Sequence, residues 1–337
     1  MELTSTALKR LLLTMKLARA LEEQARSLQR TRTLPPGIVT ARGSEATAVG
    51  AAYALKDADM LAPGQANIGA LLMRGVTAQD IMAHWFACDQ HPERFAAFGD
   101  MRRWLIVPGT SLPVAVGTAL GSKLRGEDRV MLALCTVRDT YTGAFYESVT
   151  YAYAMQLPTV FVVRSDGYRA RMGSAAPQPL PVALPHSSVD GNDLLAITQT
   201  VLAATRLARS EKSAVIVVAD TSNVATTEDQ QWQQHDPIQR FVESMLTAEA
   251  FTADDVNHAD AEVAHIVAQA VTAARRNAQD HVLTMPKMYA PQAAAVMGPT
   301  RVADTAPMSA IGVHSSGTQE PDHNHELPSS EIEVEHV

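Results

Sequence analysis

Two short polar loops hold the residues with the clearest chemical use. One reads Thr136-Val137-Arg138-Asp139 and the other Arg164-Ser165-Asp166-Gly167-Tyr168. Asp166 supplies a carboxylate, the hard oxygen donor that divalent cations prefer. Arg138 is a permanent cation that can face an anion or pair with that carboxylate. Val137 supplies no donor, and Asp139 lies two residues further along the chain. Acid–base work needs a group that titrates near neutral pH, and the histidines are scattered. His84 belongs to a helical apolar run and reads as a packing residue. His186 and His235 stand alone, and His323 with His325 make only two ligands near the end of the chain. Ser44 and Ser111 have no readable His/Asp constellation.

The flanking segments say where the loops sit. Val130 to Cys135 and Thr159 to Val163 are continuous apolar strands, joined by a helical run from Ala144 to Ala154. A third such strand runs from Ala214 to Ala219. Strands apolar on both faces and linked through helices predict an α/β fold, a doubly wound parallel sheet with helices on both faces. Open sheets of this kind bind ligands beyond the carboxyl ends of their strands, where both loops fall.

At 337 residues, 46% apolar and 19% charged, the chain can bury a large core. A formal charge of −8 argues against nucleic-acid or anionic-membrane partners. No apolar run reaches the length of a membrane span. Cys88 and Cys135 lie in unrelated contexts, Cys135 at the end of a buried strand, which fits a reducing, cytoplasmic setting. Residues 1–40 read as an amphipathic structural helix, with a targeting peptide as the alternative that Glu2, Glu22 and Glu23 weaken, followed by a Pro35-Pro36-Gly37 turn. Residues 41–285 read as the α/β domain, and 286–337 as a polar, disordered tail. Thr77 and Asp80 have the spacing of a capping box, and Asn192 or Asp193 suits an N-cap. The stretch 169–188, with four prolines, reads as irregular.

Several segments carry a resemblance. Val189-Asp190-Gly191-Asn192-Asp193-Leu194-Leu195-Ala196-Ile197, Asp236-Pro237-Ile238-Gln239-Arg240-Phe241, Gly43-Ser44-Glu45-Ala46, Arg74-Gly75-Val76, and Arg19 with Glu22 in the first helix are similar to the alpha subunit of the thiamine-diphosphate-dependent 2-oxo acid dehydrogenases. The likeness runs from the first helix to about Asp280.

The resemblance implies that this subunit binds thiamine diphosphate and Mg between itself and a beta-type subunit, as an alpha2beta2 assembly or a homodimer. Such an assembly decarboxylates a 2-oxo acid and passes the acyl group to a lipoyl carrier. In that family the first loop begins Gly-Asp-Gly and the second Asn-Asn. The Asp, the second Asn and a nearby backbone carbonyl hold the metal. Here Thr136-Val137-Arg138 and Ser165-Asp166 take those places, with the Tyr168 carbonyl at the backbone position. The degenerate cofactor-binding set is therefore Arg138, Ser165, Asp166 and Tyr168, with Asp166 alone as a metal ligand and no catalytic residue. The family's Tyr-Arg and His near Gln65-Ala66-Asn67-Ile68, and its His-Ser near Thr221 to Thr226, are missing as well. Three readings follow: an impaired alpha-type subunit, a non-catalytic pseudoenzyme that partners a beta-type subunit, and a binding protein for another anion using Arg138, Arg164 and Arg169. Two placements of Arg138 stay open, paired with Asp166 in place of the metal or pointing to solvent.

Overall fold

The apolar runs become strands β1 (Met60–Ala62), β2 (Met131–Thr136), β3 (Thr159–Arg164), β4 (His186–Asp190) and β5 (Ala214–Asp220). The computed structural model describes residues 3–34, 42–64, 67–87, 111–165, 184–221 and 236–280. In it the five strands form one parallel sheet in the order β1-β2-β3-β5-β4. The described residues belong to one compact unit, Met1–Thr284; the expected tail lies outside them.

Helices α1 (Ser5–Arg30), α2 (Glu45–Tyr53), α3 (Ile68–Met73), α4 (Ala78–Ala87), α5 (Ser111–Leu124), α6 (Gly143–Ala154), α7 (Leu194–Glu211), α8 (Pro237–Thr247) and α9 (Ala253–Asp280) surround it. The strand order explains their placement. From β2 to β3 the chain steps one way along the sheet, whereas from β4 to β5 it steps back. Right-handed crossovers then put α6 and α7 on opposite faces.

Side-chain alternation divides the core accordingly. Leu132, Leu134, Val160, Val162, Val215 and Val217 face the side of α1, α2 and α7. Met131, Ala133, Cys135, Phe161 and Val163 pack with Phe145 and Val149 of α6 and Ala115 and Val116 of α5. The doubly wound α/β sheet expected from the apolar strands is the one observed.

The amphipathic first helix is structural. Leu11, Leu12, Met15 and Leu21 of α1 are almost fully buried in the first of these clusters. Small side chains let α2 approach α7. A Cβ on Gly50 would lie 2.7 Å from both Ile197 Cγ2 and Thr198 Oγ1, so only glycine fits there. The caps follow the residue chemistry. Asp193 accepts from the Leu195 and Ala196 amides, each at 2.9 Å, and Thr77 and Asp80 exchange amide hydrogen bonds at 3.2 and 3.1 Å.

Two strands depart from the sequence expectation. His186–Asp190 is a strand although it falls at the end of the stretch read as irregular. Its polar residues alternate between exposed and half-buried because β4 is an edge strand paired only with β5. The three-residue β1 is too short to show a period. No helix among the described residues is long and apolar enough to cross a membrane.

Candidate functional site

The β2 carboxyl end turns back on itself. After Thr136 the chain enters a single 3-10 turn, Asp139–Tyr141, and then α6. The Asp139 carboxylate accepts from the Thr136 amide at 2.7 Å and from the Thr136 hydroxyl at 2.9 Å. The Thr140 hydroxyl donates to the Val137 carbonyl at 2.6 Å and that of Thr142 to the Asp139 carbonyl at 2.7 Å. Thr142 also accepts from the Phe145 amide, capping α6. The loop is thus closed by its own Thr and Asp side chains.

Val137 decides what this loop can hold. Its side chain is 5% exposed and packs into the cluster that contains Phe145 and Val163. At the position where the resemblance implies a metal-binding carboxylate, this chain has an apolar group in the core. The next residue, Arg138, has ordinary right-handed backbone angles (φ −65°, ψ −35°) and an exposed side chain. No glycine is needed at that position. Asp139, the one carboxylate in the 136–142 loop, is already engaged by Thr136. The β2 side of the site therefore does not fit a magnesium ion, which demands several hard oxygens converging on one point. Among the described residues no cluster of three or more His, Cys, Asp or Glu side chains has a metal-binding arrangement.

β3 ends level with β2, Arg164 standing opposite Thr136. Alternation places Arg164 on the same face as Val160 and Val162, toward α2 and α3. Arg164 is buried, 8% exposed as a residue, and its guanidinium donates to Ser44 Oγ at 2.9 Å and Asn67 Oδ1 at 3.1 Å. Ser44 and Asn67 are the N-cap residues of α2 and α3, and neither side chain caps its own helix. Of the three arginines proposed as an anion site, Arg164 is turned inward, Arg138 is exposed, and Arg169 lies outside the described residues. Ser165 is buried and accepts from the Thr221 amide at 3.1 Å, tying the end of β3 to the end of β5. Asp166 and Tyr168 lie outside the described residues, as do Gln65, Ala66, His235 and Ser222 to Thr226. The pairing of Arg138 with Asp166 lies there too.

Behind the strand ends the resembling motifs converge. Arg19 of α1 donates to Glu45 at 2.8 Å and to Asp236 at 2.5 Å. Both acceptors are buried, and each holds a helix start. Glu45 accepts from the Gly43 amide at 2.9 Å, and Asp236 from the Ile238 and Gln239 amides at 2.9 and 3.3 Å. Burial alone would lower the Arg19 pKa. The hydrogen bonds and charges of Glu45 and Asp236 outweigh it and hold the guanidinium above its ordinary value. The Val189-to-Ile197 motif is explained by Gly191. Its amide donates to the Asp220 carbonyl at 2.7 Å and its carbonyl accepts from the Thr47 hydroxyl at 2.7 Å. A Cβ there would meet Thr221 Cγ2 at 2.6 Å.

Two further titratable groups among the described residues are shifted by burial. Burial pushes the Cys135 thiol far up, with the Asp139 charge adding to it, so this cysteine is inert. Burial lowers His84 to about 4, and it sits on α4 as the packing residue expected. His186 opens β4, its Nδ1 lying 3.3 Å from the Leu184 carbonyl.

The model of the family described as "Dehydrogenase E1 component" matches residues 13–283. The chain belongs to the dehydrogenase E1 component family. The match begins within α1 and takes in the whole sheet and the helices through α9. Among its relatives, the pyruvate dehydrogenase E1 component subunit alpha of Staphylococcus epidermidis is 27% identical over 265 residues, covering 71% of this chain and 70% of that one. The corresponding subunit of Staphylococcus aureus is 26% identical over 265 residues with the same coverage, 71% and 70%. The 2-oxoisovalerate dehydrogenase subunit alpha of Bacillus subtilis is 27% identical over 222 residues, 60% of this chain and 67% of that one. Within this E1 framework the Arg19–Glu45–Asp236 cluster and the close packing at Gly191 account physically for four of the resembling motifs. The Thr136–Asp139 turn was not anticipated, although its Thr-x-x-Asp spacing is that of the Thr77–Asp80 box and recurs at Thr252–Asp255.

Proposed function

We propose that this chain is a non-catalytic alpha-type subunit, which keeps the E1 framework and pairs with a beta-type 2-oxo acid dehydrogenase subunit in an alpha2beta2 assembly. One observation carries the reading: Val137 is buried in the core at the position where the family places a metal-binding carboxylate. The retained parts are those that build the fold, namely the buried Arg19 cluster and the α2–α7 contact at Gly50. A family member that lost its metal donors while keeping its scaffold is suited to a structural or regulatory task. We further propose that Arg138 pairs with Asp166 and supplies the positive charge that the metal supplies elsewhere. A different bound anion is the weaker alternative, because Arg164 is engaged by Ser44 and Asn67.

The test is co-expression with the beta-type subunit from the same organism, followed by gel filtration and calorimetric titration with thiamine diphosphate and magnesium. A stable complex without cofactor binding is expected. Turnover of a 2-oxo acid by the complex, lost when this chain's loops are altered, would overturn the reading.

A further inference from the structure

The loop that does not fit the metal is nevertheless closed by hydrogen bonds from its own side chains. We propose that the Thr136–Asp139 box is an internal replacement for the metal. It is a clasp that fixes the end of β2 and the entry to α6 in the isolated chain, so that this surface is formed before and without any cofactor. The inference concerns the chain alone and goes beyond the subunit reading.

A strand end and a helix start leave amide groups that must find partners. In a site that binds a metal–diphosphate unit, the ligand supplies part of that satisfaction. Here Asp139 supplies it through a charged acceptor shared by the Thr136 amide and hydroxyl, at 2.7 and 2.9 Å. Hydrogen bonds to a charged group are stronger than neutral ones. Thr140 and Thr142 satisfy the Val137 and Asp139 carbonyls from the other side of the turn. Val137 anchors the same turn twice: its side chain packs in the core, and its amide donates to the Arg164 carbonyl at 2.8 Å. Arg164 in turn reaches the N-caps of α2 and α3. The clasp therefore connects the β2 end, through β3, to the helices on the opposite face. The same acceptance of a Thr amide and hydroxyl by an Asp three residues on starts α4 and α9, where no ligand is implied; there the Asp amide also donates back to the Thr hydroxyl, a return bond that Thr136–Asp139 does not make.

Hydrogen exchange measured by mass spectrometry on the full chain tests this. Peptides spanning Thr136 to Phe145 are expected to be protected in the presence of EDTA, and unchanged by millimolar magnesium with thiamine diphosphate. Asp139→Ala should lower protection there by about tenfold to a hundredfold, the factor set by losing hydrogen bonds to a charged acceptor. Thr136→Val removes only the hydroxyl donor and should lower it by a smaller factor, which keeps the test readable if the first variant folds poorly. A loop unprotected in the wild-type chain that gains protection with magnesium and thiamine diphosphate would overturn the proposal. So would full protection in both variants. Full protection in both variants would overturn the clasp alone and leave the subunit reading standing, whereas protection gained with magnesium and thiamine diphosphate would contradict both, so the two failures are distinguishable.

Discussion

Arg19 of α1 and Asp236 at the start of α8 are 217 residues apart in sequence and 2.5 Å apart in space. Glu45 completes the cluster from the start of α2. Three elements that share no strand are held together by one buried guanidinium. Removing one partner of such a group strands the charges left behind, at a cost of about 3–5 kcal/mol. Arg19→Ala is expected to lower the urea midpoint by a corresponding amount without changing the slope of the transition. Arg19→Lys should recover only part of it, since an ammonium cannot serve both carboxylates in the same planar geometry. Equilibrium unfolding followed by circular dichroism measures both.

Val137→Asp introduces the residue type that the resemblance implies at this position, and it should still fail to confer binding. The new carboxyl group would enter a pocket lined by Phe145 and Val163 rather than a ligand site. Burying it without partners costs at least about 2 kcal/mol. The variant is expected to melt earlier than the parent chain, with no gain in melting temperature on adding magnesium and thiamine diphosphate. A ligand-dependent rise in that temperature would refute the assignment of this position to the core.

His84 sets a pH dependence. Burial lowers its pKa from the ordinary 6.5 to about 4 in the folded chain. Between those values the unfolded chain binds a proton that the folded chain does not, so stability rises with pH through this window and is lost as pH falls from 6.5 toward 4. Allowing for the ring's partial exposure, the loss attributable to His84 is about 1–2 kcal/mol. His84→Gln should flatten this part of the stability–pH curve, read from denaturant midpoints at half-unit pH steps. Identical curves for the two proteins would show that the histidine does not titrate as its burial demands.

The Arg138–Asp166 pair is open to a double-mutant cycle. If the two side chains meet as proposed, Arg138→Ala and Asp166→Ala should be non-additive by about 0.5–1 kcal/mol, the scale of an ion pair with one solvent-exposed member. Additive effects would return Arg138 to solvent.

What the sequence made legible follows from how local each signal is. Apolar runs such as Leu132 to Cys135 and Val160 to Val163 reveal strands because burial on both faces leaves no polar alternation. Asp193 and the Thr77–Asp80 box announce helix starts through contacts three residues apart. Edge strand β4 is hidden, because His186, Ser187 and Ser188 need only one neighbouring strand and no buried face. The inward turn of Arg164 is hidden for another reason. Its partners, Ser44 and Asn67, lie 120 and 97 residues away, and no spacing rule links them. The absence of a donor at Val137 was readable in the sequence, but the fate of its side chain was not. Burial in the α6 cluster turns a missing ligand into a core residue.

The most direct measurement is calorimetric titration of magnesium and thiamine diphosphate into this chain, alone and in its complex with the beta-type subunit from the same organism. A non-catalytic alpha-type subunit gives no saturable binding attributable to the chain and a complex that forms equally well with and without the cofactor. Micromolar binding that disappears when Asp166 is replaced by alanine would contradict it.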